Sequence, residues 1–280
     1  MLRKYTENKL LLYSGTIFFP TVILYIITNY LFPEKLNNLS RLNLTAELGS
    51  VIVSALLISP VIEEYIFRSI FLKKRIFKYI FFIGVPLYII ITSNYYVFVF
   101  LGVFILANLK KKKWILYIIN SLIFSLVHYQ FSDFKSILTI LPVLSQFSIG
   151  LFLIWVVINF GIIKSILAHL LYNLIIILPL FFIIQFPDKT SRTIKKNDIL
   201  FISEKTSYFG KSNISVEHEG INAKKLTIAE FYQIYGLKNK IKIPDTLQIY
   251  KYNFKIINKH KHQLDSITVK NLLIEANLSK

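Results

Sequence analysis

Long apolar runs separated by short polar breaks decide what this chain can fold into. One run, residues 46–72 (AELGSVIVSALLISPVIEEYIFRSIFL), is long enough to cross a bilayer, yet its second half carries Glu63, Glu64 and Arg68. An ionisable group at membrane depth costs roughly 3 kcal/mol or more, so such groups are rare there and mark function. On a helix Glu64 and Arg68 are four residues apart, share a face and can neutralise one another. Glu63 has Phe67 at that spacing, so one carboxylate is paired and one is left over.

Only 17% of the residues are charged and 54% are hydrophobic. A soluble domain is nearer about a quarter charged, so the chain is expected to be a membrane protein. It has no cysteine, which excludes disulfides and thiolate metal sites. The net charge of +18 suits orientation in a membrane and contact with anionic headgroups. Nucleic acid is not expected as a partner, because the lysines are spread out and no binding motif is present.

The spans are expected at residues 10–32, 46–72, 79–109, 114–129, 136–158 and 162–186. The first is too long for a signal-peptide core and lacks a small-residue cleavage site, so it reads as an uncleaved span. Residues 79–109 are interrupted by Thr92-Ser93-Asn94. A single helix there would be ~46 Å long against a ~30 Å core, so two helices meeting at the triplet are expected. The result is an all-α polytopic helix bundle of about seven spans, or five if that hairpin is re-entrant. Arg3, Lys4, Lys9, Lys73, Lys74, Arg75, Lys78, Lys110 to Lys113 and Lys164 fall on one side, against Lys35, Arg41 and Lys135 on the other. The excess places the N-terminus in the cytoplasm, and an odd number of spans puts the tail outside.

After residue 186 charges mix with short apolar stretches. Residues 226–235 have helical spacing, with Ile228, Phe231, Ile234 and Tyr235 on one face, while residues 240–244 and 248–257 read as strands. A small C-terminal α/β appendage is expected. The domains are then residues 1–45 (a span and a loop), 46–186 (a core) and 187–280 (a basic extramembrane domain). His218, His260 and His262 lie in this polar tail and read as surface residues rather than metal ligands.

Three polar islands interrupt the apolar spans: Glu63-Glu64 with Arg68, Phe124 with His128, and His169 with Asn173. The last two pairs each share a helix face. Counted from the nearest basic cluster, Glu63, His128 and His169 lie ~15, ~22 and ~8 Å into the membrane, so they can converge on one cavity. A carboxylate and an imidazole within reach of one water can hold it and take its proton. A second imidazole and an amide N–H can donate to a developing oxyanion. No serine, cysteine or aspartate pair is similarly placed, which disfavours covalent catalysis. Two histidines and a glutamate could ligate zinc, but H-E-x-x-H is absent and no cofactor is expected. Taken singly, each island could equally be a structural interhelical contact.

The motifs E-E-x-x-x-R, F-x-x-x-H and H-x-x-x-N, in that order, resemble the CPBP group of intramembrane proteases. That group includes CAAX prenyl proteases, bacteriocin-processing enzymes and self-immunity proteins. The similarity covers about residues 45–180 and includes the run from Gly150 through Trp155 that leads into Gly161 and His169. It implies an intramembrane glutamate-type endopeptidase in a bacterial cell membrane, acting on a membrane-associated protein or peptide. It also implies that Glu63 and His128 activate water, that His169 and Asn173 stabilise the oxyanion, and that Glu64, Arg68 and Phe124 support the site. The stretch between the first two motifs is long here, because the 79–109 hairpin intervenes. The alternatives are a non-catalytic scaffold or self-immunity protein keeping the fold, and a transporter using the same polar cavity.

Overall fold

A computed structural model of the chain describes residues 2–31, 53–135, 139–188, 191–196, 198–217, 220–234, 250–258 and 266–278. The expected strand at 240–244 and the three tail histidines lie outside these. The described residues form two units that meet in sequence at Leu174 and Ile175, a mostly helical one and one containing a sheet.

The first unit begins with α1 (Leu2–Leu31), which carries Pro20. The helix continues past this proline, and Thr21 Oγ1 donates to the Ile17 carbonyl at 2.7 Å. The helix packs along α6 (Ile140–Phe160) through Leu10, Leu151 and Ile154. Residues 53–71 follow as one broken helix whose central α-helical turn is α2 (Ser59–Glu63). Then come α3 (Arg75–Ile91), α4 (Phe98–Leu109), α5 (Lys113–Leu126), α6 and α7 (Ile162–Gln185). Phe67, Phe81, Val85, Ile89, Phe104, Ile123 and Phe124 form the main buried cluster.

Among the described residues three helices are long and apolar enough to cross a membrane: Asn8–Thr28, Ile140–Phe160 and Ile162–Gln185. The expected count of about seven is not confirmed. The α4 and α5 helices are only ~18 and ~21 Å long, short of a ~30 Å hydrocarbon core. The 79–109 segment does form two helices that meet at the polar triplet, although α3 begins earlier, at Arg75.

Two glycines set geometry near the site. A Cβ on Gly150 would lie 3.1 Å from Ser121 Cα, so α5 and α6 approach as closely as they do only with glycine there. Gly161 has φ 88° and ends α6, a left-handed position that glycine adopts without penalty.

The second unit holds a five-stranded antiparallel sheet in the order β1-β2-β5-β4-β3. Its strands are β1 (Ser191–Lys196), β2 (Ile199–Thr206), β3 (Asn213–Glu217), β4 (Gly220–Leu226) and β5 (Lys251–Asn258). Alternate residues Tyr252, Phe254 and Ile256 are buried, the period of two that a half-covered strand requires. Helices α8 (Ile228–Ile234) and α9 (Ser266–Glu275) supply Phe231, Val269, Leu272 and Leu273 to the same cluster. The first of these helices opens with a reciprocal cap: the Thr227 backbone N–H donates to Glu230 Oε2, and the Glu230 N–H donates to Thr227 Oγ1.

Candidate active site

The first polar island lies on the broken helix, not on a regular one. A π-helical turn (Ser54–Ile58) precedes α2, a second (Glu64–Arg68) follows it, and a 3-10 turn (Ser69–Phe71) ends it. Pro60 supplies one cause. In the π register the Ser59 N–H reaches the Ser54 carbonyl. The next donor in that register, for the Ala55 carbonyl, would be residue 60, and proline has no N–H. Asn173 fills that vacancy from α7: its Nδ2 donates to the Ala55 oxygen at 2.8 Å. π turns of this kind cluster at functional sites.

Glu63, Glu64 and Arg68 are all buried, the last two completely. Glu63 Oε1 accepts from the Tyr88 hydroxyl of α3 at 3.1 Å. Its other oxygen, Oε2, faces two imidazoles, with His128 Nε2 at 3.5 Å and His169 Nε2 at 3.8 Å. Glu64 Oε1 lies 3.1 Å from His169 Nδ1 and 3.8 Å from Arg68 Nε, and Glu64 Oε2 accepts from the Ser165 hydroxyl. Arg68 stacks over the Phe124 ring at 4.3 Å and donates through Nη1 to Asn120 Oδ1 at 2.8 Å. Asn120 returns its amide to the Phe67 carbonyl at 2.8 Å, which closes a loop between α5 and the broken helix.

His128 does not lie on α5, as its spacing from Phe124 suggested. The helix ends at Leu126, and His128 stands in the turn beyond. Its Nδ1 still lies 2.6 Å from the Phe124 carbonyl, and the two rings pack edge to face. The tip of the α3–α4 hairpin holds this turn. The Tyr96 hydroxyl lies 2.8 Å from the Leu126 carbonyl, Asn94 donates to Val127, and Gln130 donates to Thr92 at 2.9 Å.

The Phe124 carbonyl can only accept, so His128 donates through Nδ1 and turns Nε2 toward Glu63. His169 is likewise held through Nδ1, by Glu64, with Nε2 turned toward Glu63. One carboxylate oxygen therefore faces two nitrogens across gaps too long for a direct hydrogen bond. Among the described residues no group of three or more His, Cys, Asp or Glu is spaced to hold a metal ion.

Residues 45–175 match the model of a protein family described as Type II CAAX prenyl endopeptidase Rce1-like. This stretch is a CAAX protease domain. Comparison with curated proteins and with solved structures gave no match. The family is one of proteases, so a peptide or protein is the class of substrate. Together with the three long apolar helices, membership makes the chain an integral membrane protein.

Within the CAAX protease domain, the three islands come from separate elements to one cluster. Glu63, Glu64, Arg68, Phe124, His128 and His169 are linked by pairwise contacts into one cluster. Asn173 sits one turn further along α7, on the Ala55 carbonyl. Sequence reasoning missed Tyr88, Asn120 and Ser165. Asn120 carried a usable signal, a lone amide inside an apolar helix. Tyr88 carried none, being one of 17 tyrosines, many of them at span ends or in the tail.

Proposed function

We propose that the chain is an intramembrane endopeptidase of glutamate type, hydrolysing a peptide bond of a membrane-associated substrate. The observation that carries this reading is Glu63 Oε2 facing His128 Nε2 at 3.5 Å and His169 Nε2 at 3.8 Å. A water seated there donates one hydrogen to Glu63 and is held by His128 Nε2. Glu63 takes the proton as the water attacks the carbonyl carbon, then delivers it to the departing amine. His169 is held through Nδ1 by Glu64, and its Nε2 is the nitrogen turned to the oxyanion. Asn173 spends one amide hydrogen on Ala55 and has a second for the same oxyanion. Glu64, Arg68 and Phe124 hold His169 and the broken helix in register.

The mechanism needs no metal ion. Stoichiometric zinc in the purified protein, lost together with activity on chelation, would overturn that part. The charge asymmetry of the flanking segments supports a cytoplasmic N-terminus.

The test is genetic. Glu63→Gln and His128→Ala variants, membrane-inserted at native levels, are compared with a deletion strain by membrane proteomics. A protein that stays uncleaved in all three strains identifies the substrate. Full complementation by both variants would refute proteolysis by this route and leave a scaffold role.

A further inference from the structure

The sheet-containing unit includes the last turns of α7, one of the three helices fit to cross a membrane. The loop after β2 folds back onto that helix end. The Phe209 N–H donates to Gln185 Oε1 at 3.2 Å, and the Phe209 ring packs against Phe181 at 5.6 Å. Phe182, Phe186 and Phe209 nevertheless stay 52%, 70% and 42% exposed. Lysines lie beside Phe209 and on the neighbouring tyrosine rings. Lys225 Nζ donates to the Phe209 carbonyl at 2.6 Å, Lys251 Nζ sits over the Tyr208 ring at 4.9 Å, and Lys205 Nζ sits over Tyr250 at 4.3 Å. A cavity of about 560 Å³ opens beside them, lined by Gln185, Glu204, Lys205, Thr206 and Ser207 among others.

Exposed aromatic rings with lysines at the end of a membrane helix are the composition of a bilayer interface. We propose that this face seats the C-terminal domain on the headgroup layer, with Tyr208 and Phe209 as interfacial anchors and anionic phospholipid as the partner. Two features carry the assignment. The patch is continuous with a span, so the bilayer surface is within its reach. Its charge is also complementary: Lys205, Lys211, Lys225 and Lys251 outnumber the nearby Glu204 and Asp188. The cavity supplies the Thr206 and Ser207 hydroxyls and the Lys205 ammonium as donors to a headgroup phosphate. The assignment rests on membrane insertion of α7 and not on proteolysis, so it can fail while the protease reading stands.

The absence of native cysteine makes the test clean. A single fluorophore is placed at Phe209→Cys or, as a control, at exposed Ala229→Cys on α8. The full-length protein is reconstituted in phosphatidylcholine vesicles with or without phosphatidylglycerol. The 209 probe is expected to be quenched by headgroup-labelled lipid and shielded from aqueous iodide, with the opposite result at 229. Shielding is expected to rise with phosphatidylglycerol. A Lys205→Gln/Lys225→Gln/Lys251→Gln variant should lose that rise, at roughly fivefold per lysine in surface partitioning. Hydrogen exchange on the unlabelled native chain repeats the comparison, with residues 205–211 slowed more in anionic than in neutral vesicles. Equal iodide access at 209 and 229 overturns the seat. Shielding indifferent to phosphatidylglycerol overturns the anionic partner.

Discussion

His169 Nδ1 lies 3.1 Å from Glu64 Oε1, which leaves Nε2 turned toward the second carboxylate, Glu63. One histidine thus links the two adjacent glutamates, and the outer carboxylate decides what the inner face of the ring can do. A carboxylate at Nδ1 orients the ring by accepting from it; an amide that offers an N–H instead loses that contact and lets the ring turn. Glu64→Gln is therefore expected to lower the cleavage rate by about 10²-fold, of the order seen for ligand-orienting partners. Imidazole nitrogen NMR of His169 should show the lost contact at Nδ1. An unchanged spectrum with native activity would remove Glu64 from this role.

Tyr88 holds Glu63 Oε1 and so aims Oε2 at the histidines. Tyr88→Phe removes one hydrogen bond to a charged group, worth about 1.5–3 kcal/mol. The expected result is a kcat reduced by roughly 10–100-fold with little change in KM, because the hydroxyl touches the base and not the substrate. Single-turnover cleavage measures it. A rise in KM alone would mean that Tyr88 binds substrate.

Asn173 and Pro60 are expected to be coupled. Asn173→Ala leaves the Ala55 carbonyl without its donor, at about 1–3 kcal/mol. Pro60→Ala restores an N–H at the position the π register needs. The stability lost in Asn173→Ala should shrink in the Pro60→Ala background, as read by thermal unfolding in detergent. Strictly additive losses would show that the proline does not cause the vacancy.

Close packing of α5 against α6 gives a purely steric expectation. A Cβ at residue 150 would sit 3.0 Å from Ser121 Cβ and 3.3 Å from Phe124 Cδ1. Gly150→Ala should destabilise by about 1–3 kcal/mol and disturb Phe124, which backs both histidines. Denaturant unfolding checks the first effect and cleavage activity the second.

The residues with unusual chemistry were legible in the sequence because a membrane makes them conspicuous. Glu63, Glu64, Arg68, His128 and His169 stand out against apolar neighbours, and the structure brings them together. The helix at 162–185 and the paired helices around Thr92-Ser93-Asn94 were legible for the same reason. The backbone irregularities were not. Pro60 marks a break but not a π turn, and nothing in the spacing of Phe124 and His128 shows that the helix stops between them at Leu126. Tyr88, Asn120 and Ser165 use ordinary side chains whose partners lie 25 to 101 residues away in sequence, and no local pattern encodes such a pairing. The count of about seven spans is not confirmed: among the described residues three helices are long and apolar enough to cross a membrane, and α4 and α5 are shorter.

The central claim is that Glu63 is the base. It is tested most directly by the rate at which purified, membrane-reconstituted Glu63→Gln cleaves the substrate that accumulates in the deletion strain. Glutamine preserves shape and can still accept from Tyr88, but it cannot take a proton from water. The expected result is a loss of at least about 10²-fold in kcat, with substrate binding retained. Cleavage by Glu63→Gln at the native rate would contradict the account.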